Sequence, residues 1–281
     1  MSEQRYRRTF LKRFMKSRPA LAGAAFLIVF GIIILLTPVI MPYSYEEQNL
    51  EEQYQSPSFS HWMGTDSKGR DLMTRVLYGG RISMAVGLAG AAVSLIIGVT
   101  YGCVAGFAGG RTDNIMMRIV DIFYGLPFLF FVILIMTIVG RSVLVLFIAL
   151  GAVQWLTMAR IVRGQMLMLK EREFVEAARA LGASNARIII FHLLPNLMGP
   201  IIVYATLTVP AVMLEEAFLS FLGLGVQPPA SSWGNLAADG MIHITPVKTV
   251  WWLVVFPGAA LASTLFALNF LGDGLRDALE A

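Results

Sequence analysis

Apolar runs long enough to cross a bilayer alternate with polar joints along most of this chain. Six runs cover about residues 20–41, 83–107, 115–139, 142–160, 197–222 and 250–272. Each reaches or approaches the roughly 20 residues that a helix needs to span about 30 Å of hydrocarbon. Within lipid every backbone N–H and C=O must be bonded inside the segment, so the runs predict helices and an all-α chain. The first run, Ala20 to Met41, is longer than a typical signal-peptide core and no A-x-A site closes it. It predicts a retained span behind an amino-terminal tail, residues 1–19.

The joints differ in character. The segment 42–82 starts acidic (Glu46, Glu47, Glu51, Glu52) and becomes amphipathic, with Leu72, Met73, Val76 and Leu77 on one face. That face predicts a short helix lying in the interface plane. The segment 223–249 holds Pro228-Pro229 and Trp233, with Trp251 just beyond, and tryptophans at that depth suit an interfacial belt. In the second run Gly90, Ser94, Gly98, Gly102 and Gly106 recur every fourth residue. This stripe predicts close helix packing rather than an open pore lining.

Charge orients the spans. Arg5, Arg7, Arg8, Lys12, Arg13, Lys16 and Arg18 precede the first run, and Arg160, Arg163, Lys170, Arg172, Arg179 and Arg187 surround the joint between the fourth and fifth. Four runs separate the clusters, an even number, so both fall on one side. With Arg111 and Arg276 that side holds fifteen basic residues, against six (Lys68, Arg70, Arg75, Arg81, Arg141, Lys248) on the other. The excess predicts that both termini are cytoplasmic.

Composition agrees with a membrane protein. Hydrophobic residues make up 57% and charged residues 14%, against roughly 45–50% and 25% in soluble domains. The net charge of +4 does not indicate nucleic-acid binding, because the basic residues flank apolar spans. The single cysteine, Cys103, excludes an internal disulfide and a multi-cysteine metal site. It reads as a small packing residue.

The polar joint at about 161–196 is long for a connection between spans, which points to a docking purpose. Glu173 to Leu181 lacks Gly and Pro and is rich in Ala, Glu and Arg, which predicts a helix. Gly182 ends it, and Ser184 or Asn185 caps a second helix running toward Pro195. Pattern and charge alone fit two readings, a knob that seats in a soluble partner and an interfacial helix pair that only links two spans.

The segment Glu176-Ala177-Ala178-(x3)-Gly182-(x9)-His192-x-Leu194-Pro195 resembles the EAA loop of bacterial ABC importer permeases. It departs from that pattern at His192, where an aliphatic residue is usual; the histidine reads as structural. Three further stretches resemble the dipeptide/oligopeptide/nickel subfamily, and within it the C-type subunit. They are Gly64-Thr65-Asp66-(x2)-Gly69-Arg70-Asp71-(x3)-Arg75, Leu219 through Pro229, and Gly272-Asp273-Gly274-Leu275-Arg276-Asp277. The resemblance runs from about residue 10 onward. It implies a type I ABC importer permease fold over 20–281, with its core at 83–272 and the coupling loop at about 161–196.

The same resemblance implies function and partners. The chain would pair with a second, homologous permease subunit, two cytoplasmic ATP-binding subunits and an extracytoplasmic solute-binding protein, in a bacterial inner membrane. ATP and magnesium would be held by the ATPases, and this chain would hold no cofactor or metal and catalyse nothing. Glu176, Ala177, Ala178, Gly182, Leu194 and Pro195 would form the ATPase-coupling loop. The substrate implied is a di- or oligopeptide, with nickel or another small solute as the alternative. From another class, a secondary transporter is the rival; it would normally show internal repeats and broken helices at matching positions, and none is evident.

Three acids interrupt apolar runs: Asp121, Glu215 and Glu216. A charge near mid-bilayer costs about 2.5–3.5 kcal/mol, so such groups face partners or cavities. Asp121, three residues after Arg118, is expected to pair with it. One of Glu215 and Glu216 is a candidate translocation-path group that attracts a peptide amine or a cation; a salt bridge to Arg81 or Arg141, or to the partner subunit, is the alternative. Gly64 and Gly69 have P-loop spacing, but Arg70-Asp71 replaces the required Lys-Ser/Thr, so a turn is expected. A membrane enzyme is not indicated: His61, His192 and His243 fall in joints or span ends, and neither H-E-x-x-H nor G-x-S-x-G occurs.

Overall fold

The computed structural model describes residues 12–140, 142–245 and 249–280. Arg5, Arg7 and Arg8 of the basic tail, and Arg141 and Lys248, lie outside them. The elements are α1 (Arg18–Ile40), α2 (Leu72–Ala108), α3 (Gly110–Tyr124), α4 (Phe128–Val139), α5 (Val143–Leu169), α6 (Glu173–Ala180), α7 (Asn185–Ile188), α8 (Leu194–Phe221), α9 (Trp233–Ile242) and α10 (Trp252–Glu280). A π-helical turn, Ile189–Leu193, joins α7 to α8, so Asn185–Phe221 runs as one 37-residue helix. With α1, α2, α5 and α10 it makes five helices long and apolar enough to cross a membrane.

The expected straight span at 115–139 is instead the pair α3–α4, bent by 90°. The break is at Gly125-Leu126-Pro127: Gly125 closes α3 and Pro127 caps α4. A proline pushes its predecessor out of the helical region, which sets the stop there. The charged residues of α3 lie on one side of the bend and the uncharged α4 on the other.

The interface helix expected at 72–77 is also corrected. Leu72 begins α2, with Asp71 as N-cap accepting from the Thr74 amide at 2.8 Å. Leu72, Val76 and Leu77 are buried against Trp233, Leu236 and Leu253. Within α2, Gly80 is a packing site: a Cβ there would stand 2.8 Å from side-chain atoms of both Ile34 and Trp233. Arg81 then donates to the α1 carbonyls of Ile34 and Leu35. Trp233 is not an interfacial residue. It is fully buried and its indole donates to Val76 O at 2.8 Å. Trp251, by contrast, is exposed.

At the centre of the bundle α2 lies along α5. A Cβ on Gly98 would fall 2.5 Å from Met158 Cβ, and one on Gly102 2.6 Å from Ala159 O. The small-residue stripe therefore brings two backbones together, as its spacing predicts, and Cys103 is buried beside it.

The Gly64–Asp71 segment is a turn built around Asp66. Its carboxylate accepts from the Lys68 and Arg70 amides at 2.8 and 3.0 Å, from Arg70 Nε at 2.7 Å and from Arg75 Nη1 at 2.5 Å. Burial pushes this carboxyl up, but the Arg75 and Arg70 charges and the two amides outweigh it and hold the pKa below the ordinary value. His61 anchors the same region through Asp71 at 2.9 Å.

Candidate functional site

The polar joint is shorter than its sequence suggests, because α5 and α7 extend into it. Only Lys170–Arg172 and Leu181–Ser184 lie outside helices. Lys170 Nζ donates to Gly106 O at 2.9 Å and ties the first connection to α2. In α6, Glu173 and Glu176 occupy the first turn and Arg179 the last, each favourable to the helix dipole. The helix closes on Gly182, at φ +81°, with Ala183 N bonded to Ala178 O at 3.0 Å and Gly182 N to Arg179 O at 2.9 Å. This is a Schellman motif. Ser184 rather than Asn185 caps the next helix, accepting from the Arg187 amide.

One face of α6 is bound into the bundle. Val175 and Ala178 are buried in a cluster with Val162 and Met166 of α5 and with Ile188, Leu193 and Leu197. The other face is open. Glu176, Ala177 and Gly182 are exposed, and so are two large apolar residues, Phe174 at 39% and Leu181 at 87%.

The six residues expected to form the coupling loop thus divide. Glu176, Ala177 and Gly182 point outward, and Ala178 anchors the helix from within. Leu194 is half-buried against the same cluster. Pro195, which has no N–H to give, lies two residues past the π turn and is exposed at a cavity of about 530 Å³ with Gln165, Asn196, Tyr204 and Arg276. Phe174 and Leu181 are missing from the sequence expectation. Their spacing with Ala177, at i, i+3 and i+7, was the signal for an apolar stripe beside the buried one.

The candidate path acids have different surroundings. Glu216 is buried and accepts from Ser220 Oγ at 2.7 Å and Ser232 Oγ at 2.6 Å; Ser232 is the N-cap of α9, so Glu216 ties α9 to α8. Glu215 accepts from Gln154 Nε2 of α5 at 2.6 Å through Oε1. Arg81 bonds neither acid, since it is spent on α1. The pairing expected for Asp121 with Arg118 is also corrected. Asp121 pairs with Arg160 of α5 at 2.8 Å, and Asp113 pairs with Arg163. Both links run between helices because α3 lays its polar face on α5. Among the described residues no group of three or more His, Cys, Asp or Glu is placed to hold a metal ion.

A family model described as the binding-protein-dependent transport system inner membrane component matches residues 98–281. A second, the N-terminal TM domain of oligopeptide transport permease C, matches residues 5–57. The chain belongs to this permease family, on its C-type dipeptide/oligopeptide branch. The permease is 47% identical over 273 residues to an oligopeptide transport system permease protein OppC of Haemophilus influenzae, covering 96% of this chain and 86% of that one. It is 48% identical over 269 residues to the dipeptide transport system permease protein DppC of Bacillus subtilis, covering 96% and 83%. A solved structure of the MetNI methionine ABC transporter, in inward facing conformations, superposes with a TM-score of 0.61 at 20% identity, covering 74% of this chain and 97% of that one. The fold is accordingly that of a type I ABC importer permease, and the chain is a multi-pass inner-membrane protein. As a permease component it conducts rather than catalyses.

Proposed function

We propose that this permease is one half of the translocation channel of an ATP-driven importer of di- or oligopeptides. The names of its relatives support the substrate class, and the family supports the assembly: a second, homologous permease, two cytoplasmic ATP-binding subunits and an extracytoplasmic solute-binding protein. ATP and magnesium sit in the ATPases. The amino-terminal and α6 ends face the cytoplasm, as the excess of basic residues on that side favours.

The observation that carries this reading is the outer face of α6. Phe174, Ala177, Leu181 and Gly182 present an apolar edge, with Glu176 beside them, on a helix whose inner face is locked to two spans. An apolar edge in a water-facing, charged joint is an interaction surface. An ATPase cleft that receives it moves the spans when ATP binding closes the ATPase pair, switching the channel between inward- and outward-facing states.

The test is co-purification from membranes in mild detergent, followed by uptake in reconstituted vesicles. Recovery of a second permease and ATPases, with peptide uptake that needs ATP, supports the assignment. A chain recovered alone or as a homodimer, with uptake driven by an ion gradient, overturns it in favour of a secondary transporter.

A further inference from the structure

A charged, open face lies at membrane depth, where lipid would not tolerate it. Helix α5 has 27 residues, about 40 Å at 1.5 Å per residue. Asp121 falls inside the apolar run 115–139, and Arg160 closes the run 142–160, nine residues, about 14 Å, from the Leu169 end of α5. The Arg160 and Asp121 side chains are nonetheless 44% and 54% exposed. An ionised side chain turned to hydrocarbon there costs about 2.5–3.5 kcal/mol. The face they share is therefore turned to water or to another subunit.

This face continues as a stripe. Gln154, Thr157 and Arg160 recur every third residue of α5, within an arc of about 120°. Across from them Tyr124 of α3 bonds Thr157, and its ring lies under the Arg160 guanidinium at 4.1 Å. Gly164 continues the stripe, and a Cβ there would meet no heavy atom within 4 Å. At the other end, Gln154 holds Glu215 Oε1, while Glu215 Oε2 is buried with no hydrogen-bond partner among the described residues. An unpaired buried carboxylate oxygen is costly, and it calls for a donor. Arg160 has five N–H donors, and its ion pair with Asp121 is made through Nη2.

The two ends thus offer opposite charges to a solute. Six residues separate Gln154 from Arg160, about 9 Å along the helix. Extended peptide covers about 3.3–3.6 Å per residue, so the two termini of a dipeptide or tripeptide are spaced to match. We propose that Gln154, Thr157 and Arg160, with Glu215, Asp121 and Tyr124, line a water-filled translocation path. In it Glu215 receives the ammonium terminus of a zwitterionic peptide and Arg160 its carboxylate. The assignment rests on the peptide-importer reading and adds the residues that touch the cargo. It also separates the two adjacent acids: Glu215 faces the cargo and Glu216 holds α9.

The test uses the complete importer, reconstituted in vesicles. Thr157→Cys is exposed to a membrane-impermeant, cationic methanethiosulfonate, with Leu144→Cys and Ile148→Cys on a different face of α5 as references; the native Cys103 is buried. Thr157→Cys should react about tenfold faster than the references, and a tripeptide should slow it. Glu215→Gln should lower uptake of a tripeptide about ten- to a hundredfold, the range of a lost charge-assisted hydrogen bond. It should leave ATPase binding intact and reduce the preference for that peptide over its N-acetylated form. Arg160→Gln should reduce the preference over the C-terminal amide. An assembled importer with ATP-driven uptake, but with an inert Thr157→Cys and a parental Glu215→Gln, overturns the path while sparing the importer. Failure to recover partner subunits or ATP dependence instead overturns the importer reading.

Discussion

Gly182→Asp separates folding from docking. The backbone at Gly182 sits at φ +81°, and a Cβ built there meets nothing within 4 Å. Within the chain the substitution therefore costs only the left-handed conformation. That is about 1 kcal/mol, and Asp is among the residues that adopt it most readily. Both Schellman hydrogen bonds are made by backbone atoms and survive. At about 2–4 °C per kcal/mol for a chain of this size class, the melting temperature in detergent should fall by only a few degrees. Docking responds differently. A carboxylate beside Leu181, closed into an ATPase cleft without a cation, is an uncompensated buried charge worth about 3–5 kcal/mol. The affinity for the ATPase should drop at least a hundredfold. Gly182→Asn fits the same backbone without the charge and should keep most of the binding. The assays are thermal unfolding of the purified permease and titration of ATPase onto permease in nanodiscs. Parental ATPase affinity for Gly182→Asp would refute the docking geometry. Collapse of its thermal stability would refute the local account of the turn.

Three further outcomes follow from the packing. Gly98→Val places carbon atoms where Met158 Cβ and Trp155 O already stand, at 2.5 and 2.9 Å from a Cβ; overpacking of about 1–3 kcal/mol should appear as a lower melting temperature, and parental stability would contradict it. Trp233→Phe removes the indole donor to Val76 O, which keeps its own helix bond, and leaves a gap in a fully buried site; about 1–3 kcal/mol should be lost from the hydrogen bond and the unfilled space together, measured by the same thermal scan. Asp66→Asn leaves Arg75 buried without its carboxylate, and about 3–5 kcal/mol should be lost. Because the folded pKa of Asp66 lies below its unfolded value, its contribution is full above the ordinary carboxylate range and is lost as pH falls through the lowered folded value. Protease sensitivity of the 42–71 segment should stay flat from neutral pH to about pH 5 and rise only in stronger acid. A rise already near neutral pH would count against the pairing.

The spans were legible where apolar length alone decides. The knob was legible because its signals are local: a Gly-free, Ala-rich stretch, then Gly182, then Ser184. The failures share one cause, contacts between residues far apart in sequence. The second run reads from 83 with a separate interface helix before it, yet α2 runs unbroken from Leu72, because α9 and the α1 carbonyls fill the space beside Gly80 and Arg81. Trp233 looks like a belt residue until α9 folds back and buries it against Val76. Asp121 has a partner three residues away in sequence, yet it bonds Arg160 because α3 turns its polar face onto α5. Glu215 and Glu216 are indistinguishable in sequence, and only Ser220, Ser232 and Gln154 tell them apart.

The same contacts explain how a small knob can act on a distant path. Helix α6 is joined to α5 by three residues and to α7 by four, and hydrogen bonds hold both connections. Its inner residues, Val175 and Ala178, share one cluster with α5 and the α7–α8 helix. Close-packed interiors transmit displacement rather than absorb it. A push on Leu181 and Phe174 is therefore delivered to α5 and α8 together. Those two helices carry Gln154, Thr157 and Arg160 on one side and Glu215 on the other. Of the two α3–α5 ion pairs, Arg160–Asp121 belongs to this stripe, and Arg163–Asp113, the better buried, lies on its knob side and holds α3 to α5. The bend at Gly125–Pro127 turns α4 by 90° from α3, and Val132 and Met136 pack it against Leu146 and Ala149 of α5, so a displacement of α5 reaches α4 as well as α3.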